Sequence, residues 1–71
     1  MNEKKLKFKE LAEKRVNSTI KSIQLIGNLS NTRAYNYTDE EVKKIFKILK
    51  EEISIAEFKF KNKGVTKNFK L

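Results

Sequence analysis

Two sets of residues in this chain have types and spacing suited to gripping another molecule. The first lies at the termini: Lys4, Lys5, Lys7 and Lys9 near the start, and Lys59, Lys61 and Lys63 near the end. A lysine ammonium is a mobile point charge. It neutralises phosphates but lacks the planar fork that reads guanine edges. Such a set predicts contacts to a nucleic-acid backbone, RNA or DNA, without base readout. The second set is Arg33, Tyr35 and Tyr37, inside Ile26-Gly27-Asn28-Leu29-Ser30-Asn31-Thr32-Arg33-Ala34-Tyr35-Asn36-Tyr37-Thr38. An arginine beside two tyrosines has the composition of a protein-binding hot spot, and the rings could also stack on bases.

Catalytic chemistry finds no comparable support. There is no histidine and no cysteine, so common zinc ligand sets, thiol nucleophiles and disulfides are excluded. No glycine loop cradles a phosphate, and no serine stands beside an evident base. Glu51 and Glu52 are adjacent and point apart on a helix, while Glu10–Lys14, Glu40–Lys44 and Glu57–Lys61 are ordinary four-residue surface pairs. The expectation is a non-enzymatic protein with no cofactor and no metal.

The formal charge is +8, and it is unevenly placed. Residues 1–15 carry six cations against three acids, residues 16–57 carry six of each, and residues 58–71 carry five lysines and no acid. All the excess therefore belongs to the termini. Only Arg15 and Arg33 are arginine. A Lys-, Asn-, Ile- and Phe-rich composition is what AT-rich coding produces, which explains part of the lysine excess but not its position. Lys59, Lys61 and Lys63 suit a helix C-terminus. Lys4, Lys5, Lys7 and Lys9 sit at the positive end of a helix, where they oppose its dipole and one another; solvated, frayed termini are the plain alternative to a binding role.

The elements that position these residues are helices. There is no proline and there are only two glycines, Gly27 and Gly64, which favours long helices over a many-turned β protein. Phe8, Leu11, Ala12, Val16, Ile20, Ile23 and Ile26 share one face of a first helix, about residues 4–27. Gly27-Asn28 is the expected stop, since both residues tolerate a left-handed conformation. The loop covers about 28–37, with Asn31 and Asn36 bonding their own backbone and Leu29 and the tyrosines covering the end of a core. Thr38-Asp39-Glu40-Glu41 is a capping box opening the second helix, about 38–63. Val42, Phe46, Leu49, Ile53, Ala56 and Phe60 then form a heptad seam, widened by Ile45 and flanked by Ile48 and Ile55. Gly64 is the expected end, and 64–71 is a tail in which Val65, Phe69 and Leu71 could fold back.

The layout is one small all-α domain, 1–71: an antiparallel two-helix hairpin. Two helices cannot cover so broad an apolar arc, and a chain of this size has no staple. Pairing into a homodimeric four-helix bundle is the expected remedy, with Phe8 and Phe60 in its core and Phe58 off the seam. A hairpin brings the two basic termini to one end. This general plan is similar to that of plasmid RNA-binding regulators. The expected function is binding of nucleic-acid backbone through that end. The alternative is a protein-binding inhibitor or accessory module, of the kind encoded by mobile elements, that uses the Arg33–Tyr37 loop or meets an acidic protein surface. A membrane role ranks last, because the apolar faces are committed to a bundle. The opening residues "MNEKKLKFKELAEKR" hold no apolar run, so the expected location is cytoplasmic.

Overall fold

A computed structural model describes residues 2–62 of the chain. Among the described residues the regular structure is entirely helical, with no strand: α1 spans Glu3–Asn28 and α2 spans Asp39–Lys61. The chain divides into two units between Asn36 and Tyr37, each holding one helix. Lys63, Gly64 and the tail 64–71, with Val65, Phe69 and Leu71, lie outside the described residues.

The start of α1 is set by a residue that the apolar pattern does not reveal. Asn2 is extended and acts as N-cap, its side-chain oxygen accepting from the backbone N–H groups of Lys4 (3.0 Å) and Lys5 (3.2 Å). This satisfies two of the four donors that a helix start leaves open. The helix then runs for 26 residues, about 39 Å at the standard rise. Its end differs from the expected left-handed stop. Gly27 and Asn28 are helical, and no described residue has positive φ. Leu29 N–H donates to Ile26 C=O (3.0 Å) and Ser30 N–H to Gly27 C=O (3.1 Å). Such three-residue bonds tighten the last turn and satisfy its carbonyls without a left-handed residue.

α2 begins as its sequence predicts. Thr38 is extended, its hydroxyl accepts from Glu41 N–H (3.1 Å), and the Glu41 carboxylate accepts from Thr38 N–H (2.9 Å). Asp39, Glu40 and Glu41 occupy the first turn, and Lys59 and Lys61 the last, both in the sense the dipole favours. The helix ends at Lys61, earlier than the expected residue 63. Asn62 is the C-cap, donating both its backbone N–H (2.9 Å) and its side-chain amide (3.2 Å) to Phe58 C=O.

None of the described residues is buried. Leu11, Ala12 and Ile26 on α1, and Val42 and Leu49 on α2, are half-buried. Phe8 and Phe60, expected in a core, are 59% and 67% exposed. The reason is geometric: a helix shields its own side chains only partly, and full burial of a seam needs surface from another element. Phe58, expected off the seam, is 63% exposed.

Candidate nucleic-acid interface

Within the first two turns of α1, Lys4, Lys5, Lys7 and Lys9 are all exposed. At 100° per residue they form a partial collar over an arc of about 200°, with Glu3 and Glu10 on the remaining side. Lys4 and Lys7 are three apart, Lys5 and Lys9 four apart, and Phe8 lies between the two rows. The apolar stripe of α1 ends in this collar: Lys9 stands seven and eleven residues before Val16 and Ile20, and Lys5 stands eighteen before Ile23, so each shares their side of the helix. Charge there replaces the stripe's apolar continuation.

At the other terminus, Phe58, Lys59, Phe60 and Lys61 alternate around the last turn of α2, and both lysines are exposed. Cationic groups interleaved with exposed rings are the components of a backbone-tracking, base-stacking surface. Lys63, the remaining member of the expected set, lies outside the described residues. The two lysine groups belong to different units of the chain.

The loop is organised by Asn31. Its side-chain oxygen accepts from Arg33 N–H (3.0 Å), and its carbonyl accepts from Ala34 N–H (3.1 Å) and Tyr35 N–H (3.0 Å). One residue thus fixes the backbone of Arg33 through Tyr35, as an asparagine turn should. Tyr35 is 49% exposed and Leu29 46%, so neither forms the closed cover expected of it. Tyr37 is 38% exposed and lies across the unit boundary from Arg33 and Tyr35.

One arrangement escapes a count of charge along the chain. Lys43, Lys47 and Lys50 fall in a segment of zero net charge, yet steps of four and three put them on one side of α2, followed by Ser54. Reading charge by helical period would have found them. An open depression on this helix is lined by Lys47, Lys50, Glu51, Ser54 and Ile55, and another on α1 by Ala12, Glu13, Val16 and Asn17. Among the described residues no three acids, histidines or cysteines are grouped to hold a metal, and no helix is long and apolar enough to cross a membrane. No protein-family model, curated protein or solved structure matches this chain.

Proposed function

We propose that this is a non-enzymatic helical protein that folds as an antiparallel hairpin, pairs into a four-helix bundle, and binds RNA or DNA backbone through its basic ends. The observation that carries the reading is the collar of Lys4, Lys5, Lys7 and Lys9 around Phe8. Lys4 and Lys5 in the first turn work against the helix dipole, and Lys5 and Lys9 interrupt an apolar stripe that would otherwise continue. A role outside the fold accounts for both features. In the proposed hairpin, Lys59, Lys61 and Lys63 join this collar and the whole excess charge meets the ligand together. Lysine in place of arginine suits contacts that hold a duplex or strand without selecting its sequence.

Fluorescence anisotropy against structured RNA, duplex DNA and single strands, titrated with salt, tests this reading. Binding should persist at physiological salt with a slope equivalent to about four or more phosphates. Replacing Lys4, Lys5, Lys7, Lys9, Lys59, Lys61 and Lys63 by Glu should abolish it, and Tyr35→Ala should spare it. Weak binding that fades equally for all three ligands would reject the reading.

A second reading is supported by Asn31, which holds Arg33 and Tyr35 in a defined turn. An ordered Arg–Tyr corner is a surface for an acidic protein partner, as an inhibitor or accessory module would use. Under that reading Arg33→Ala and Tyr35→Ala remove function while the lysine changes do little.

A further inference from the structure

α2 carries a seam with two properties that suit it to pairing with a copy of itself. First, its period is regular. Val42, Phe46, Leu49, Ile53, Ala56 and Phe60 advance by 4, 3, 4, 3 and 4 residues, so they stay on one line of a 3.5-residue repeat. On α1 the stripe advances by 4, 4, 4, 3 and 3 from Phe8 through Ala12, Val16, Ile20 and Ile23 to Ile26. Each step of four turns about 40° past a full revolution, so this stripe slants and then returns. A straight seam is matched best by a partner with the same repeat, and the element on hand with that repeat is another α2.

Second, the seam is complementary in size to its own reverse. Read backwards it is Phe, Ala, Ile, Leu, Phe, Val. Laid antiparallel on a copy of itself about Glu51, it sets Val42 against Phe60, Phe46 against Ala56, and Leu49 against Ile53, each layer occurring twice. Every layer then combines a large side chain with a smaller one, or two of equal size. A parallel copy would stack Phe on Phe at positions 46 and 60 and Ala on Ala at position 56, leaving overfilled and underfilled layers. Interiors tolerate neither.

We propose that a second copy of this chain closes the α2 seam in antiparallel orientation, with the two-fold axis at the level of Glu51 and passing between the Leu49–Ile53 layers. The inference rests on the dimeric bundle of the proposed function and fixes its orientation. Flanking charge agrees. In this register Lys43 faces Glu57 of the second copy, and this pair forms twice. Lys50 and Glu52 each meet their own counterpart on opposite, solvated flanks. A parallel pair would set Glu52 against Glu57 of the second copy on both sides, with no compensating attraction among residues 42–61. Ile48 and Ile55, on the strip to one side, lie off this seam. The two copies of Lys61 would then stand about 30 Å apart along the axis, counting twenty residues of rise, which makes the dimer bivalent.

The chain has no cysteine, so single cysteines report orientation directly. A mixture of Val42→Cys and Phe60→Cys chains under mild oxidation should give a covalent heterodimer. Each variant alone should not cross-link, because its two copies would be about 27 Å apart, far beyond disulfide reach. Phe46→Cys with Ala56→Cys repeats the test at a second layer. On the unaltered chain, carbodiimide coupling should join Lys43 of one copy to Glu57 of the other. Disulfides of Val42→Cys with itself and Phe60→Cys with itself would show a parallel dimer and overturn the inference. A dimer by sedimentation that gives neither set of disulfides nor the Lys43–Glu57 link would overturn it too. A monomer by sedimentation would overturn both the inference and the dimeric bundle beneath it, and nucleic-acid binding, read separately by anisotropy, would remain to be judged on its own.

Discussion

α1 and α2 are of similar length but obey different rules. In α2 the levels agree: a capping box opens it, acids fill the first turn, lysines fill the last, and the apolar residues keep a strict heptad. In α1 they conflict. Its first turns carry lysine, its last turn carries no base, and its stripe slants. Sequences that specify a fold tend to be consistent across levels, and the exceptions gather where a residue serves something besides the fold. The contrast is what the proposed roles draw on, α2 in assembly and the start of α1 in binding.

The largest test strikes the seam. Leu49→Asp places a carboxylate at its middle, half-buried even on the single chain. Burying that charge against a partner would cost several kcal/mol, about 3–5. Sedimentation should show complete loss of the dimer, and circular dichroism a loss of cooperative melting. The same substitution at Lys47, on the outer side of α2, should do neither. If Leu49→Asp remains dimeric, α2 is not the assembly helix.

The next test turns stability and binding in opposite directions. Lys4→Glu with Lys5→Glu replaces two unfavourable charges in the first turn of α1 by favourable ones. Each exchange should stabilise that helix by about 0.3–1 kcal/mol at low salt. Nucleic-acid affinity should fall about tenfold or more, and the salt slope should drop by about two. A double variant that melts higher and binds less well separates the functional reading from simple fraying. One that melts higher and binds equally well would leave these lysines without a role in binding.

A smaller effect compares the two caps. Thr38→Ala removes the hydroxyl from a reciprocal box on the helix proposed to assemble. The loss should be about 1 kcal/mol, or about 4–8 °C in melting temperature for a chain of this size. Asn2→Ala removes a cap of similar geometry from a terminus that is free to fray, so its effect should be smaller. Equal effects would mean that the first turn of α1 is held as firmly as that of α2.

These caps show what was legible in the sequence. The Thr38–Glu41 box could be read because both halves of the interaction lie within four residues and each side chain has one job. The uninterrupted helix of α2 was equally legible, and so was the turn made by Asn31. Asn2 was missed because the residue three positions after it, Lys5, cannot complete a box, so nothing marked it as a cap. Asn62 is hidden by Gly64 two residues on, because glycine is the commoner helix stop and the fold-back of the Asn62 amide on Phe58 C=O leaves no pattern in the sequence. The lysine and tyrosine sets depend on what lies far away in sequence. Periodicity supplies their faces, but no local pattern fixes which faces meet.

Gly27 offers the finest test, because a preference and a structure disagree there. A glycine beside an asparagine at a helix end suggests a left-handed cap. In the structure Gly27 is helical, and a Cβ built on it meets nothing within 4 Å. Alanine should therefore fit without strain and reduce the freedom of the unfolded chain. So close to the end of the helix, the gain expected is about 0.5 kcal/mol, or about 3 °C in melting temperature. A left-handed Gly27 would give the opposite sign, since a Cβ is unfavourable at positive φ. Gly27→Ala that raises the melting temperature supports an α1 that runs through to Asn28 and carries Asn31, Arg33 and Tyr35 on its tightened exit. Gly27→Ala that lowers it would end the helix earlier and change how the Arg33–Tyr35 turn leaves α1, while the seam of α2 would be unaffected.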